Sequence, residues 1–148
     1  MKLTKIIIGM LIMLSFALAA AVGYIDVRQV FEGYHKTRDA QQEINDKMKD
    51  YERLRNRHLQ ALSEARIDGK SAQEIEKMEA DIRRELEPKE SELEVLNEEL
   101  MARIRREIVS AVEVVSREVG IDVVVDKQVI IAGGLDLTDS VITRLNRR

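Results

Sequence analysis

A strand-like run near the N-terminus, Gly23-Tyr24-Ile25-Asp26-Val27, and two more near the C-terminus are separated by a long charged stretch of helical periodicity with one strong turn signal. A chain patterned this way leaves a small β body, runs outward as one helix, reverses once and returns. A two-helix hairpin buries only one stripe per helix, and roughly three or four strands make a marginal sheet. The apolar faces therefore call for partner chains, and an oligomer with projecting arms is expected.

The segment ahead of this layout has the make-up of an export signal. Lys2 and Lys5 precede an apolar run from Ile6 to Leu18, and the alanine-rich stretch that follows offers small-residue cleavage sites. Residues 1–21 are thus expected to be a signal peptide and 22–148 one domain, with a body at 22–33 and 104–148 and a helical arm at 34–103. An uncleaved anchor is the alternative, because Ile6 to Val22 is seventeen residues without a charge, at the short edge of a membrane span. No Cys follows the apolar run to carry a lipid.

Composition excludes several classes. A chain with 34% charged and 3% aromatic residues has the balance of long solvated helices. Without Lys2 and Lys5 the 24 basic residues fall to 22 against 27 acids, a net charge of 22 − 27 = −5. That sign disfavours nucleic acid as a partner. The absence of cysteine rules out disulfides and thiol chemistry.

On the first arm, from about Tyr34 to Ala65, Ile44, Met48, Tyr51, Leu54 and Leu62 recur at helical steps, with Leu59 at the margin. The reversal is read at Ile67-Asp68-Gly69-Lys70, where Gly69 can take the left-handed conformation that ends a helix. Ser71-Ala72-Gln73-Glu74 then has the form of a capping box. The second arm carries an apolar stripe from Ile75, Met78 and Ile82 through Ile104, Ile108, Val112, Val115 and Val119, at a period of about 3.67. Folding back about Asp68 and Gly69 sets Arg103 opposite Tyr34, so the stretch from Ile104 to Val119 outruns the first arm and belongs to the body. Pro88, the one proline, is expected to kink or break the second arm near Glu85 to Pro88, and is the candidate hinge.

After Gly120 the pattern changes to β-branched alternation. Ile121 to Asp126 and Val129 to Ala132 read as two strands joined at Asp126-Lys127-Gln128, with Gly133-Gly134 ending the second. A short helix follows through Val141, Ile142 and Leu145, capped by Thr138 or Asp136. The fold class is α+β. Ile25, Val27, Phe31, Val112, Val115, Val123, Val125 and Ile131 are the apolar residues expected to be buried between copies of the body.

Gly120-Ile121-Asp122-Val123-Val124-Val125-Asp126, with Leu135-Asp136-Leu137-Thr138-Asp139-Ser140-Val141-Ile142, resembles the C-terminal signature of the Skp/OmpH family. Gly23-Tyr24-Ile25-Asp26-Val27-Arg28-Gln29-Val30-Phe31 resembles the family's first strand and following turn. The resemblance implies a periplasmic, ATP-independent holdase: a jellyfish-like homotrimer whose helical arms hold unfolded outer-membrane proteins. The sequence departs from the strongly basic arms of well-known members. From Lys49 to Arg84 it has nine basic and eight acidic residues, and from Glu85 to Glu99 seven acids against Lys89 alone.

Apolar groups available to a client toward the tip are Met48, Tyr51, Leu54, Leu59, Leu62, Ile67, Ile75 and Met78, most of which can equally glue the two helices together. Arg53, Arg55, Arg57, Arg66 and Lys70 form a candidate basic tip, although neighbours two apart on a helix point in different directions. Its near-neutral setting allows only weak contact with a membrane surface. Asp122, Asp126, Asp136 and Asp139 lack the spacing of an EF-hand, and His35 and His58 lack that of a metal pair, so turn, cap and surface roles account for them. No nucleotide loop, zincin motif or nucleophile elbow occurs, so neither a cofactor nor enzymatic activity is expected. The competing class is an envelope tether or structural coiled-coil protein, rooted by an uncleaved N-terminal segment.

Overall fold

The computed structural model describes residues 21–147, so all of the expected signal peptide but Ala21 lies outside the described residues. The elements in order are β1 (Val22–Ile25), α1 (Val27–Gly33), α2 (His35–Ile67), α3 (Ala72–Glu118), β2 (Val123–Asp126), β3 (Leu135–Asp136) and α4 (Thr138–Asn146). The described residues divide into two compact units, one of 21–33 with 108–147 and one of Tyr34–Glu107.

In the first unit the strands form one sheet in the order β2-β1-β3, with β1 parallel to both neighbours. Val22 pairs with Val123 and Ile25 with Asp126 on one side, and Gly23 with Leu135 on the other. Gly23 is needed at the centre: a Cβ there would lie 3.0 Å from Leu137 and 3.1 Å from Ile121. Strand β1 stops earlier than the apolar run suggests. The backbone N–H of Asp26 donates to Thr138 Oγ1 at 2.9 Å, and the Asp26 carboxylate accepts from Gln29 N–H at 3.0 Å. That capping turns Val27 into the first residue of a helix rather than the last of a strand.

The strand expected at Val129 to Ala132 does not form. The Asp126 side chain accepts from Gln128 N–H at 3.1 Å, and Lys127–Val129 makes one turn of 3-10 helix. This local side-chain bond competes with a β ladder, and the chain crosses to the far side of β1 before pairing as β3. Val129 and Ile131 are left 71% and 102% exposed. Their β-branched side chains suit a strand, but their backbone has no ladder to join.

Helix α4 starts at Thr138 with Leu137, not Thr138 or Asp136, at the capping position and no side-chain bond from it; the Asp136 carboxylate, one residue earlier, accepts from Thr138 N–H at 2.9 Å. The Thr138 hydroxyl, which donates to the same carboxylate, and then this backbone bond hold the Asp136 carboxyl below its ordinary range. Helix α4 packs against α1: a Cβ on Gly33 would meet Ile142 at 3.0 Å, and Asn146 donates to the Gly33 carbonyl at 2.8 Å. Val30 and Val141 are wholly buried, and Ile25, Ile108, Ala111, Val115, Leu137 and Leu145 complete this core. Each large side chain so buried contributes about 1.5–3 kcal/mol. A single chain thus buries Ile25 and Val115 by itself, contrary to the expectation that both wait for partner chains.

Candidate functional site

The second unit is the hairpin of α2 with α3 as far as Glu107, and it is tied at both ends. At the root, Tyr34 is 1% exposed, and its hydroxyl donates to the Glu107 carboxylate. Lys36 Nζ lies 3.0 and 3.2 Å from the same two oxygens. The Tyr34 hydroxyl, and then Lys36, hold the Glu107 carboxyl below its usual range. Burial, and then the same carboxylate, push the Tyr34 phenol up, and Glu107 raises the Lys36 ammonium. Thr37, Ala40, Leu100 and Ile104 are buried along the same stretch of the two helices.

At the far end Leu62 and Ala65 are buried, and Arg66 reaches Glu79 at 2.6 Å. Gly69 takes φ +72°, the left-handed value that glycine reaches without a Cβ penalty. The capping box forms as read: Ser71 Oγ accepts from Glu74 N–H at 3.3 Å, and the Glu74 carboxylate accepts from Ser71 N–H at 2.9 Å. The Ser71 hydroxyl also donates to Glu74 and keeps its carboxyl low.

Between these ends the helices are loosely joined. No side chain is buried between Ala40 and Leu62 on α2, or between Ala72 and Leu100 on α3. His58 Nε2 comes within 3.0 Å of Glu85 Oε2 but is not aligned for a hydrogen bond. Beside this contact the two helices leave a groove of about 360 Å³. Of the kink or break expected near Pro88, the break does not occur: helix α3 runs unbroken from Ala72 to Glu118. Pro88 has no N–H for the Arg84 carbonyl, but it sits at an exposed position, where water can serve that carbonyl in its place.

The predicted client contacts fall into three groups. Leu62 is buried and holds the hairpin together. Tyr51, Leu54, Ile75 and Met78 are half-buried. Met48, Leu59 and Ile67 are exposed, Ile67 to 81%. The basic residues do not gather at the tip. Arg53 lies sixteen residues before Gly69, about 24 Å along a helix, and pairs with Asp50. Arg55 and Arg57 lie beside it in mid-arm, while Arg66 is engaged with Glu79, and Lys70 is exposed in the turn.

Of the expected oligomer residues other than Ile25 and Val115, Phe31, Val112 and Val125 are half-buried, and Val27, Val123 and Ile131 are exposed. The Tyr34–Lys36–Glu107 clamp was not anticipated. Reading the reversal at Asp68-Gly69 sets Arg103 across from Tyr34, whereas the Tyr34 hydroxyl reaches Glu107, four residues or about one helical turn further along. Two signals for it stood in the sequence, an aromatic at the start of the arm and a glutamate near its end. Among the described residues no helix is long and apolar enough to cross a membrane, and no group of three His, Cys, Asp or Glu side chains could hold a metal.

A short parallel sheet flanked by helices, with a hairpin of two long helices inserted between its first two strands, defines the class of fold. The sequence matches the family described as outer membrane protein (OmpH-like) over residues 21–145, and the chain belongs to that family. A solved structure of a candidate outer membrane chaperone (OmpH-like) from Caulobacter crescentus CB15 has the same fold, with a TM-score of 0.58 at 13% identity. That likeness covers 88% of this chain and 86% of the other. No curated protein sequence matches the chain.

Proposed function

We propose that this protein is an exported, ATP-independent holdase that keeps unfolded outer-membrane proteins soluble in the periplasm, acting as a homotrimer and without enzymatic chemistry. Membership of the OmpH-like family across residues 21–145 carries the reading. The hairpin supports it: Tyr51, Leu54, Ile75 and Met78 stay half-exposed, and Met48 and Leu59 are 42% and 49% exposed. A holdase needs weak, distributed apolar contacts of this kind. The exposed Val27, Val123 and Ile131 support assembly through the sheet-bearing unit.

The test is to dilute a urea-unfolded β-barrel membrane protein into buffer with and without the purified chain and no nucleotide, following light scattering. Suppressed aggregation is expected, and unchanged aggregation would refute the holdase. Static light scattering on the chain alone should give three times the protomer mass, and a folded monomer would refute the trimer. Apolar holding further requires that protection survive a rise in salt from about 0.05 to 0.5 M, which shortens the screening length from roughly 14 to 4 Å. Replacing Met48, Leu54, Leu59 and Met78 together by polar residues should weaken it.

A further inference from the structure

The groove in the middle of the hairpin has a floor of four apolar side chains, Tyr51 and Leu54 from α2 and Leu93 and Leu96 from α3. Three basic groups, Lys47, Arg57 and Lys89, and three acidic ones, Asp50, Glu85 and Glu92, also line it. All four floor residues are half-exposed, although each lies on the stripe that its helix turns toward the other. The gap falls in the one stretch of the hairpin that buries nothing, between a root closed by Tyr34, Lys36 and Glu107 and a tip closed by Leu62, Ala65 and the Arg66–Glu79 pair. Between those ends the helices are joined only by half-buried side chains and the His58–Glu85 contact, which leaves room there for an inserted side chain.

We infer that this groove receives one large apolar side chain, aromatic or aliphatic, from an extended unfolded polypeptide, with the Tyr51 ring as its packing partner. The inference rests on the holdase reading and says where on each hairpin a client is gripped. Charge selects the occupant. A rim with equal numbers of cations and anions gives no net attraction to a phosphate, a lipid headgroup or a strongly charged peptide. It does offer both donors and acceptors to the backbone N–H and C=O groups on either side of an inserted side chain. A volume of about 360 Å³ lies within the usual range of small-ligand pockets, and an offset or edge-on aromatic contact with Tyr51 would favour aromatic clients over aliphatic ones.

Two variants test this on the whole chain, with a urea-unfolded, tryptophan-free β-barrel membrane protein as the probe. Leu93→Phe fills the groove from within, and it should weaken client binding about tenfold, as expected for loss of one buried side chain. Val95→Ser alters an exposed position about 200° round the helix from Leu93 and should bind as the parent does. The chain has no tryptophan, so Tyr51→Trp places a sole reporter in the floor. Its emission should shift to the blue when client is added, a readout that holds even if Leu93→Phe disturbs the hairpin. Parent-like affinity in Leu93→Phe with unchanged helicity, or an unmoved Tyr51→Trp spectrum under saturating client, overturns the inference while leaving the holdase intact. A fall in light-scattering mass on Leu93→Phe would assign the groove to a second copy of this chain and likewise overturn it. Failure of the parent chain to bind client at all would refute the holdase reading and this inference with it.

Discussion

Val30 and Val141 are sealed from solvent in the sheet-bearing unit, whereas over some twenty residues of each hairpin helix no side chain is. Both regions are rich in aliphatic residues at the right spacing, so hydrophobicity alone does not separate them. The difference is dimensional. In the first unit a sheet, α1, α4 and the last turns of α3 enclose a side chain from several directions. In the hairpin only one neighbouring helix is available, and an apolar stripe facing a single cylinder stays open along its margins. Stability therefore concentrates in the sheet-bearing unit and at the ends of the hairpin, and adaptability in the hairpin's middle.

The contrast is broken most severely from its well-packed side. Leu137→Ala removes a side chain 2% exposed beneath the sheet and should cost about 2–5 kcal/mol. Chemical denaturation would report it, and a loss below about 1 kcal/mol would show that the core of this unit is no better packed than the hairpin.

From the loose side, Pro88→Ala restores a missing backbone hydrogen bond within α3 and should stabilise the middle of the hairpin by up to about 3 kcal/mol. Hydrogen exchange between Glu85 and Lys89 should slow while the assembly mass stays unchanged. Unaltered exchange would mean that Pro88 is no flexing point and that the looseness comes only from the sparse packing.

Tyr34→Phe leaves the root packed but withdraws the hydroxyl from Glu107, at an expected cost of about 1.5–3 kcal/mol for a hydrogen bond to a charged group. The same contact sets a pH dependence. Glu107 is held below the ordinary 4.5 of glutamate, so its contribution is present above that value and is lost as pH falls through the lower, folded-state value. Lys36 is raised above 10.5, so its contribution is present below 10.5 and lost as pH rises beyond the folded-state value. Exchange at the root should therefore quicken at both extremes in the parent. The acid response should be smaller in Glu107→Gln, and an identical response would remove the clamp from the account.

The smallest effect is expected at the turn. Ser71→Ala removes the acceptor for Glu74 N–H and should cost about 1 kcal/mol, seen as faster exchange in the first turn of α3. Spread of that loosening as far as Glu85 would show that the tip fastens the middle more tightly than the burial pattern indicates.

Where the sequence was legible, the signals were local. The 3.6-residue period marked both arms to within a few residues, Gly69 and Ser71-Ala72-Gln73-Glu74 marked the turn, and the density of Ile and Val after Ile104 marked the return to a packed unit. The α+β class followed from those elements and the flanking strands, and the end signatures pointed to the family that the match over residues 21–145 then showed. Period-two alternation was less informative. It extended β1 through Val27 and created a strand from Val129 to Ala132, because a β-branched run looks the same whether or not a neighbouring backbone is present to pair with it.

Much of the candidate site was legible as a list of residues and not as an arrangement. Helical spacing put Tyr51, Leu54 and Leu62 on one stripe, but it could not distinguish Leu62, which is buried, from Tyr51, which is not. By itself the sequence determined the hairpin, its turn and its caps, since these depend on contacts within a few residues. Only the tertiary structure decided that β3 pairs on the far side of β1, that Tyr34 meets Glu107 and that the hairpin opens between its fastened ends. Each of those depends on which distant backbone or side chain arrives within bonding distance, and spacing along the chain does not encode that distance.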